Sequence, residues 1–211
     1  PAGTRAISIL SWNWLVSALA SGVTVALWDG SPVAPDPLAL PRFVAEEGLT
    51  HLGVSPGWLA ALERAGTRPR RTLGPGALRM LLSTGAPLPA EAWGFVRDAF
   101  GDGVQTASIT GGTDLLGCFA LGCPEKPVRA GEIQVPGLGM DVDFVDEQGR
   151  SVRGRHGELV CRSPFPSQPL AFLDDPDGAR LRRAYFEPWP QLWRHGDFGE
   201  FTASGGIVIH G

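Results

Sequence analysis

The residues best suited to chemistry sit together at Ser108-Ile109-Thr110-Gly111-Gly112-Thr113-Asp114, directly after the β-type run Val104-Gln105-Thr106-Ala107. A strand that runs into two glycines, a hydroxyl and a carboxylate offers bare backbone N–H groups, a donor and a hard oxygen ligand at one point. That combination suits a phosphate with its Mg2+. The same Gly-Gly-Thr-Asp string also makes an ordinary tight turn capping the next segment, so turn chemistry alone leaves both readings open. A second polar break, Thr84-Gly85-Ala86-Pro87, follows the apolar run from Leu78 to Ser83. In parallel sheets ligands bind beyond the carboxyl ends of the strands, so these two breaks converge on one candidate pocket.

The elements that must position these residues follow from the patterning. Up to about Gly122, helix-like and strand-like runs alternate, which predicts βαβ units: an α/β fold with a largely parallel sheet and flanking helices. The apolar segment Ile7 to Ala20 is broken by Ser8, Ser11, Asn13 and Ser17, too short and polar to span a bilayer, and reads as a core helix capped by Gly22. A strand over 23–28 follows, then a helix from Asp36 and Pro37 to Glu47, with aspartate as N-cap and proline at N1. Strand 50–55, a helix opened by Ser55-Pro56, an arginine-rich loop over 66–76, strand 78–83, helix 89–100 and strand 104–109 complete the series. Beyond Pro124, short alternating runs such as Asp141-Val142-Asp143-Phe144-Val145-Asp146 and Gly157-Glu158-Leu159-Val160-Cys161 predict a small antiparallel β-rich subdomain, with a short helix near 179–186. The expected domains are 1–122 and 123–211. Asp141, Asp143 and Asp146 lack the spacing of a calcium loop and read as the solvated face of a strand.

Composition excludes several classes. The 211 residues carry a net charge of -4 and no long basic run, which argues against a nucleic-acid partner. Lys126 is the only lysine among eighteen basic residues, and neither a Walker loop nor a Gly-x-Gly-x-x-Gly fingerprint occurs. Cys118, Cys123 and Cys161 cannot all pair and have no second Cys/His pair for a zinc site, so they read as inert thiols of a cytoplasmic protein. Seven tryptophans read as core, and His51 and His195 as structural, since no nucleophile elbow accompanies them. The chain starts at Pro1 and stops just after the strand 207–210, which reads as a piece cut from a longer protein.

Taken in order, a series of motifs resembles the adenylate-forming superfamily of acyl-CoA synthetases, and within it the members that activate acetoacetate. They are Trp12-Asn13-Trp14-Leu15-Val16-Ser17, Leu19-Ala20-Ser21-Gly22, Asp29-Gly30-Ser31-Pro32, Ser83-Thr84-Gly85-Ala86-Pro87-Leu88, Ile109-Thr110-Gly111-Gly112-Thr113-Asp114, Gly157-Glu158-Leu159-Val160, Asp175-Pro176-Asp177-Gly178 and His195-Gly196-Asp197. The resemblance implies an acid–thiol ligase with acetoacetate, ATP and CoA as substrates and Mg2+ as the metal. It implies that Gly85, Ala86 and Pro87 line the adenine beside Ser108, Ile109 and Thr110. Thr113 would bind the α-phosphate, Asp114, where most relatives place Glu, would hold Mg2+, and Asp197 would accept the two ribose hydroxyls. Gly111, Gly112 and Trp12 would border the acyl pocket; Gly111 stands where acetyl-specific members have a tryptophan, so Gly111→Trp is expected to shift preference toward acetate. Ser8-Ile9-Leu10-Ser11 departs from the Gly-Trp-Met-Met-like run of the acetoacetate members, which keeps another short-chain acid open. The resemblance also puts the family's phosphate loop upstream and its catalytic lysine and mobile domain downstream, so these residues alone are expected to bind at most nucleotide or acyl-adenylate without turnover.

Overall fold

A computed structural model describes residues 3–8 and 12–211, excepting the side chains of 12–14. Its contacts divide the chain into two units, Pro1–Ile109 with Gly122–Gly131, and Thr110–Leu121 with Glu132–Gly211.

The first unit holds a parallel five-stranded sheet in the order β2-β1-β3-β4-β5. Its strands are β1 (Arg5–Ser8), β2 (Thr24–Val25), β3 (His51–Val54), β4 (Met80–Ser83) and β5 (Gln105–Ser108). Leu52, Val54 and Leu81 are wholly buried, as the strands of a sheet covered on both faces must be. Helices α1 (Trp12–Ala20), α2 (Ala39–Glu46), α3 (Pro56–Arg64), α4 (Arg70–Leu73) and α5 (Ala90–Phe100) accompany it. Helical spacing carries Leu40 and Val44 of α2, Leu59 and Leu62 of α3, and Val96, Ala99 and Phe100 of α5 into one core. The start of α3 is as its sequence predicts: the Ser55 hydroxyl accepts from the Trp58 N–H at 3.1 Å, with Pro56 at N1.

Three expectations change here. The segment 7–20 is not one helix, because Arg5–Ser8 finds backbone partners on both sides, in β2 and β3, and Ile7 is completely buried. Pairing within a sheet overrides local helical periodicity. What remains as α1 exposes Val16 and Leu19, though it ends on Gly22 in the left-handed region at φ 72°. The start of α2 moves from Pro37 to Ala39, with Asp36 accepting from the Leu38 N–H at 2.8 Å and pairing with Arg42. The arginine-rich loop contains α4.

The second unit is built from two antiparallel sheets, β6-β7-β8 and β12-β11-β10-β9. Their strands are β6 (Thr110–Gly112), β7 (Gly117–Leu121), β8 (Val135–Pro136), β9 (Val142–Val145), β10 (Gly157–Cys161), β11 (Trp193–Phe201) and β12 (Ile207–Ile209), with α6 (Ala179–Tyr185) between β10 and β11. Its core gathers Leu115, Phe119, Ile133, Phe144, Leu159, Phe165, Trp193 and Ile207. Phe165 meets Phe119 and Trp193 edge-on at 5.4 and 5.3 Å. The division falls at Ile109/Thr110 instead of 122/123, because β6 and β7 pair with each other and β7 with β8, while Gly122–Gly131 returns to the first unit.

Asp143 is not on a solvated face. Its carboxylate is 5% exposed and receives Ser151, Arg153 at 2.7 Å, Arg162 and the Phe144 N–H. Burial pushes this carboxyl up, and the four hydrogen bonds together outweigh it and hold the group below the usual range. Among the described residues no helix is long and apolar enough to cross a membrane.

Candidate active site

In the first unit β4 and β5 are neighbours, with Ser83 opposite Ser108. The Thr84 N–H donates to the Val54 carbonyl at 3.2 Å and the Ile109 N–H to the Ser83 carbonyl at 3.0 Å, so both polar breaks leave the sheet at adjacent carboxyl ends. Gly85 turns the chain at φ 89°, and Gly85, Ala86 and Pro87 are all exposed there. Ser108 is buried, at 5% exposure. A cavity of about 590 Å3 in the same unit lies elsewhere, at the amino end of β5, lined by Trp93, Arg97, Gln105 and Lys126.

In the second unit the glycine-rich run is a strand and the turn comes after it: Thr110–Gly112 form β6, and Thr113 to Leu116 turn back to β7, the Leu116 N–H donating to the Thr113 carbonyl at 3.2 Å. Thr113 and Asp114 are exposed at this turn. The Thr110 hydroxyl donates to Asp197 Oδ2, from β6 to β11. Alternation along β11 puts His195 on the same face as Asp197, its Nε2 3.7 Å from Oδ2. The imidazole stands edge-on to Phe119 at 4.8 Å, and its Nδ1 is buried without a partner. Burial pulls the pKa of His195 below the ordinary imidazole value, against the opposing pull of Asp197, the Gly111 backbone and Glu158, so the ring is neutral at pH 7. Behind it, Glu158 Oε1 accepts from the Gly196 N–H at 2.7 Å and fixes the bend between the two residues.

Asp114 accepts a hydrogen bond from the Tyr185 hydroxyl. Tyr185 lies flat on Trp193, ring centroids 3.8 Å apart and planes 13° apart, and burial followed by the Asp114 carboxylate pushes its phenol upward. The donor is therefore permanent at neutral pH and sets the direction of the carboxylate. An exposed carboxylate held by one oxygen fits Mg2+, which takes one or two carboxylates and completes its shell with water and substrate phosphate.

The glycines carry different constraints from those their sequence implied. A β-carbon on Gly111 would collide with the Gly117 carbonyl and come within 2.8 Å of Cys118 Cα, so this glycine is required by the close approach of β6 to β7. A tryptophan at 111 would require a local shift of β6 from β7. Gly112 is the position with an adjustable neighbour: a β-carbon there meets His195 Cε1 at 3.3 Å and Leu115 Cδ2 at 3.5 Å. Trp12, the third residue expected at the acyl pocket, opens α1, but its side chain lies outside the described residues, as do Ile9 to Ser11.

The second unit thus brings together Thr110, Gly111, Gly112 and Asp197, while Thr113 and Asp114 extend from the same hairpin. It adds His195, Glu158, Tyr185 and Trp193, which the sequence reading left out of the site. His195 was findable from its two-residue spacing to Asp197 on a strand; Tyr185 reaches Asp114 across 71 positions and leaves no local signal.

The sequence pattern of AMP-binding enzymes matches residues 6–168. The acetoacetyl-coenzyme A synthetase of Rhizobium meliloti (strain 1021) is 50% identical over 202 residues, 96% of this chain and 31% of that protein. The acetoacetyl-CoA synthetase of Mus musculus is 42% identical over 203 residues, 96% of this chain and 30% of that protein. Among solved structures, acetoacetyl-CoA synthetase from Streptomyces lividans superposes with a TM-score of 0.91 at 40% identity, over 99% of this chain and 34% of that one. The anthranilate CoA ligase AuaEII shares the fold, with a TM-score of 0.80 at 20% identity over 98% of this chain and 39% of its own. The chain spans about 30% of the length of the curated relatives it matches. Because the matched span runs from β1 through both glycine-bearing strand ends to beyond β10, the chain belongs to the AMP-binding enzyme family.

Proposed function

We propose that this chain is part of an AMP-forming acid–thiol ligase acting on acetoacetate. A carboxylate oxygen of the acid attacks the α-phosphorus of ATP, pyrophosphate leaves, and the thiolate of CoA then displaces AMP from the acyl carbon. Displacement at phosphorus asks the protein for positioning and charge stabilisation more than for covalent participation. The observation that carries the reading is the Thr110–Asp197 pair: one carboxylate oxygen is tied down by a hydroxyl, so the group is oriented to accept from two vicinal ribose hydroxyls. Gly85, Ala86, Pro87, Ser108 and Ile109 take the adenine, and Thr113 donates to the α-phosphate. Asp114, aimed by Tyr185, holds the Mg2+ that neutralises phosphoryl charge when bound. The acyl group lies by Gly112 and His195, whose neutral ring presents no charge to the incoming carboxylate. Cys118 and Cys161 are not joined in a disulfide, in keeping with a cytoplasmic setting.

Calorimetric titration with a nonhydrolysable acetoacetyl-adenylate analogue tests this. Charge-assisted hydrogen bonds contribute about 1.5–3 kcal/mol, so Asp197→Ala is expected to weaken binding by roughly 10-fold or more, and Thr113→Ala to weaken it as well. No binding by the folded chain, or equal affinity in both variants, overturns the assignment. A paired turnover assay separates the alternatives: since the chain spans about 30% of its relatives, binding without thioester formation makes it a nucleotide- and acyl-adenylate-binding module of the complete ligase.

A further inference from the structure

We infer that His156, Glu200 and His210 form a binding site for a divalent transition-metal ion of the Zn2+ class on the outer face of the four-stranded sheet. The site follows from strand register. β10 and β11 pair Gly157 with Gly199, which sets His156 across from Glu200. β11 and β12 pair Glu200 with Val208 and Gly199 with Ile209, and the His210 N–H donates to the Phe198 carbonyl at 2.8 Å. Alternation then turns His156, Glu200 and His210 to one side, opposite the face on which a β-carbon at Gly199 would strike Phe144 of the core.

The donor atoms already stand near ligand spacing. His156 Nε2 is 3.1 Å from Glu200 Oε1 and His210 Nε2 is 3.6 Å from the same oxygen, and all three donors lie within 4.8 Å of one another. Ligands at 2.0–2.2 Å from a tetrahedral ion sit about 3.3 Å apart, so only the two imidazole nitrogens have to close, by rotation of exposed rings. The imidazoles face each other with centroids 4.1 Å apart and planes 33° apart, and Phe198 stands edge-on to His156 at 5.9 Å and limits its turning. Two rings directing nitrogen at one carboxylate oxygen is an arrangement that a shared cation satisfies. Two imidazole nitrogens and one carboxylate select Zn2+, Co2+, Ni2+ or Cu2+ over Mg2+ or Ca2+, which prefer all-oxygen shells, and leave a fourth position for water. This site is separate in chemistry from the Mg2+ role given to Asp114.

The test uses the full 211-residue chain, stripped with a chelator and titrated with Zn2+ by calorimetry and with Co2+ by visible absorption. The expected result is one Zn2+ per chain, and Co2+ bands of nitrogen–oxygen ligation without the sulfur charge-transfer absorption that Cys118, Cys123 or Cys161 would give. Removing even an outer-sphere partner of a metal costs about 10- to 100-fold in affinity, so the His156→Ala, His210→Ala double variant should lose more than that, and Glu200→Gln about 10-fold or more. Zn2+ should raise the Tm of the parent and leave that of the double variant unmoved. Both histidines are exposed, so their removal does not touch the core. Absence of saturable binding, a sulfur charge-transfer signature, or equal affinity in the double variant overturns the proposal.

Discussion

A side chain at position 111 would press on the backbone of β7, whereas one at position 94, in the middle of α5, would meet nothing within 4 Å. The two glycines therefore respond oppositely to the same change. Gly111→Ala is expected to cost about 1–3 kcal/mol through overpacking against an immovable carbonyl. Gly94→Ala is expected to add about 1 kcal/mol by removing a flexible residue from a helix interior. Chemical denaturation of both variants checks this pair, and a Gly111→Ala protein as stable as its parent would show that β7 yields to a β-carbon there. The outcome at position 111 was not readable in the string Gly-Gly-Thr-Asp. It depends on which strand lies against β6, and that partner is chosen by tertiary pairing that local residue types do not encode.

At the scale of elements, β9 and β10 are joined through one acid. Asp143 of β9 binds Arg162 beyond the end of β10 and Arg153 in the connection between them. Its carboxylate is nearly sealed from solvent while the arginines are partly wet, so Asp143→Ala should destabilise by about 2–3 kcal/mol, less than loss of a fully buried pair. The denaturation midpoint should fall with an unchanged slope; a shift below the measurement error would mean that the arginines are solvated equally well without it. Where an element carried its own signal, the sequence disclosed it: Ser55-Pro56 opens α3, and the β9 and β10 runs alternate as strands should. Where tertiary partners decide, it did not. β1 hides inside a helix-like apolar run, and Asp143 looks like any other surface acid of a strand until its two arginines arrive from 10 and 19 residues away.

For the molecule as a whole, the same sign of pH dependence comes from both units. His51 in the first unit and His195 in the second are held below the ordinary imidazole value, in each case chiefly by burial. The unfolded chain then binds more protons than the folded one below about pH 6.5, so stability should be full at pH 7 and above and should fall as the pH drops through the imidazole range. The lowered carboxyl of Asp143 adds a further loss below about pH 4. Urea midpoints at about pH 7.5, 6 and 5 read out the first window, and a flat series would show that neither imidazole is held neutral. The path of the backbone has a last consequence. It passes between the units at Ile109/Thr110, Leu121/Gly122 and Gly131/Glu132. No single recombination breakpoint can therefore exchange the β-rich unit as a cassette, because a cut at 109/110 parts the 122–131 excursion from the rest of its unit and a cut at 131/132 leaves 110–121 with the other parent. Grafting this unit onto a relative requires three matched junctions.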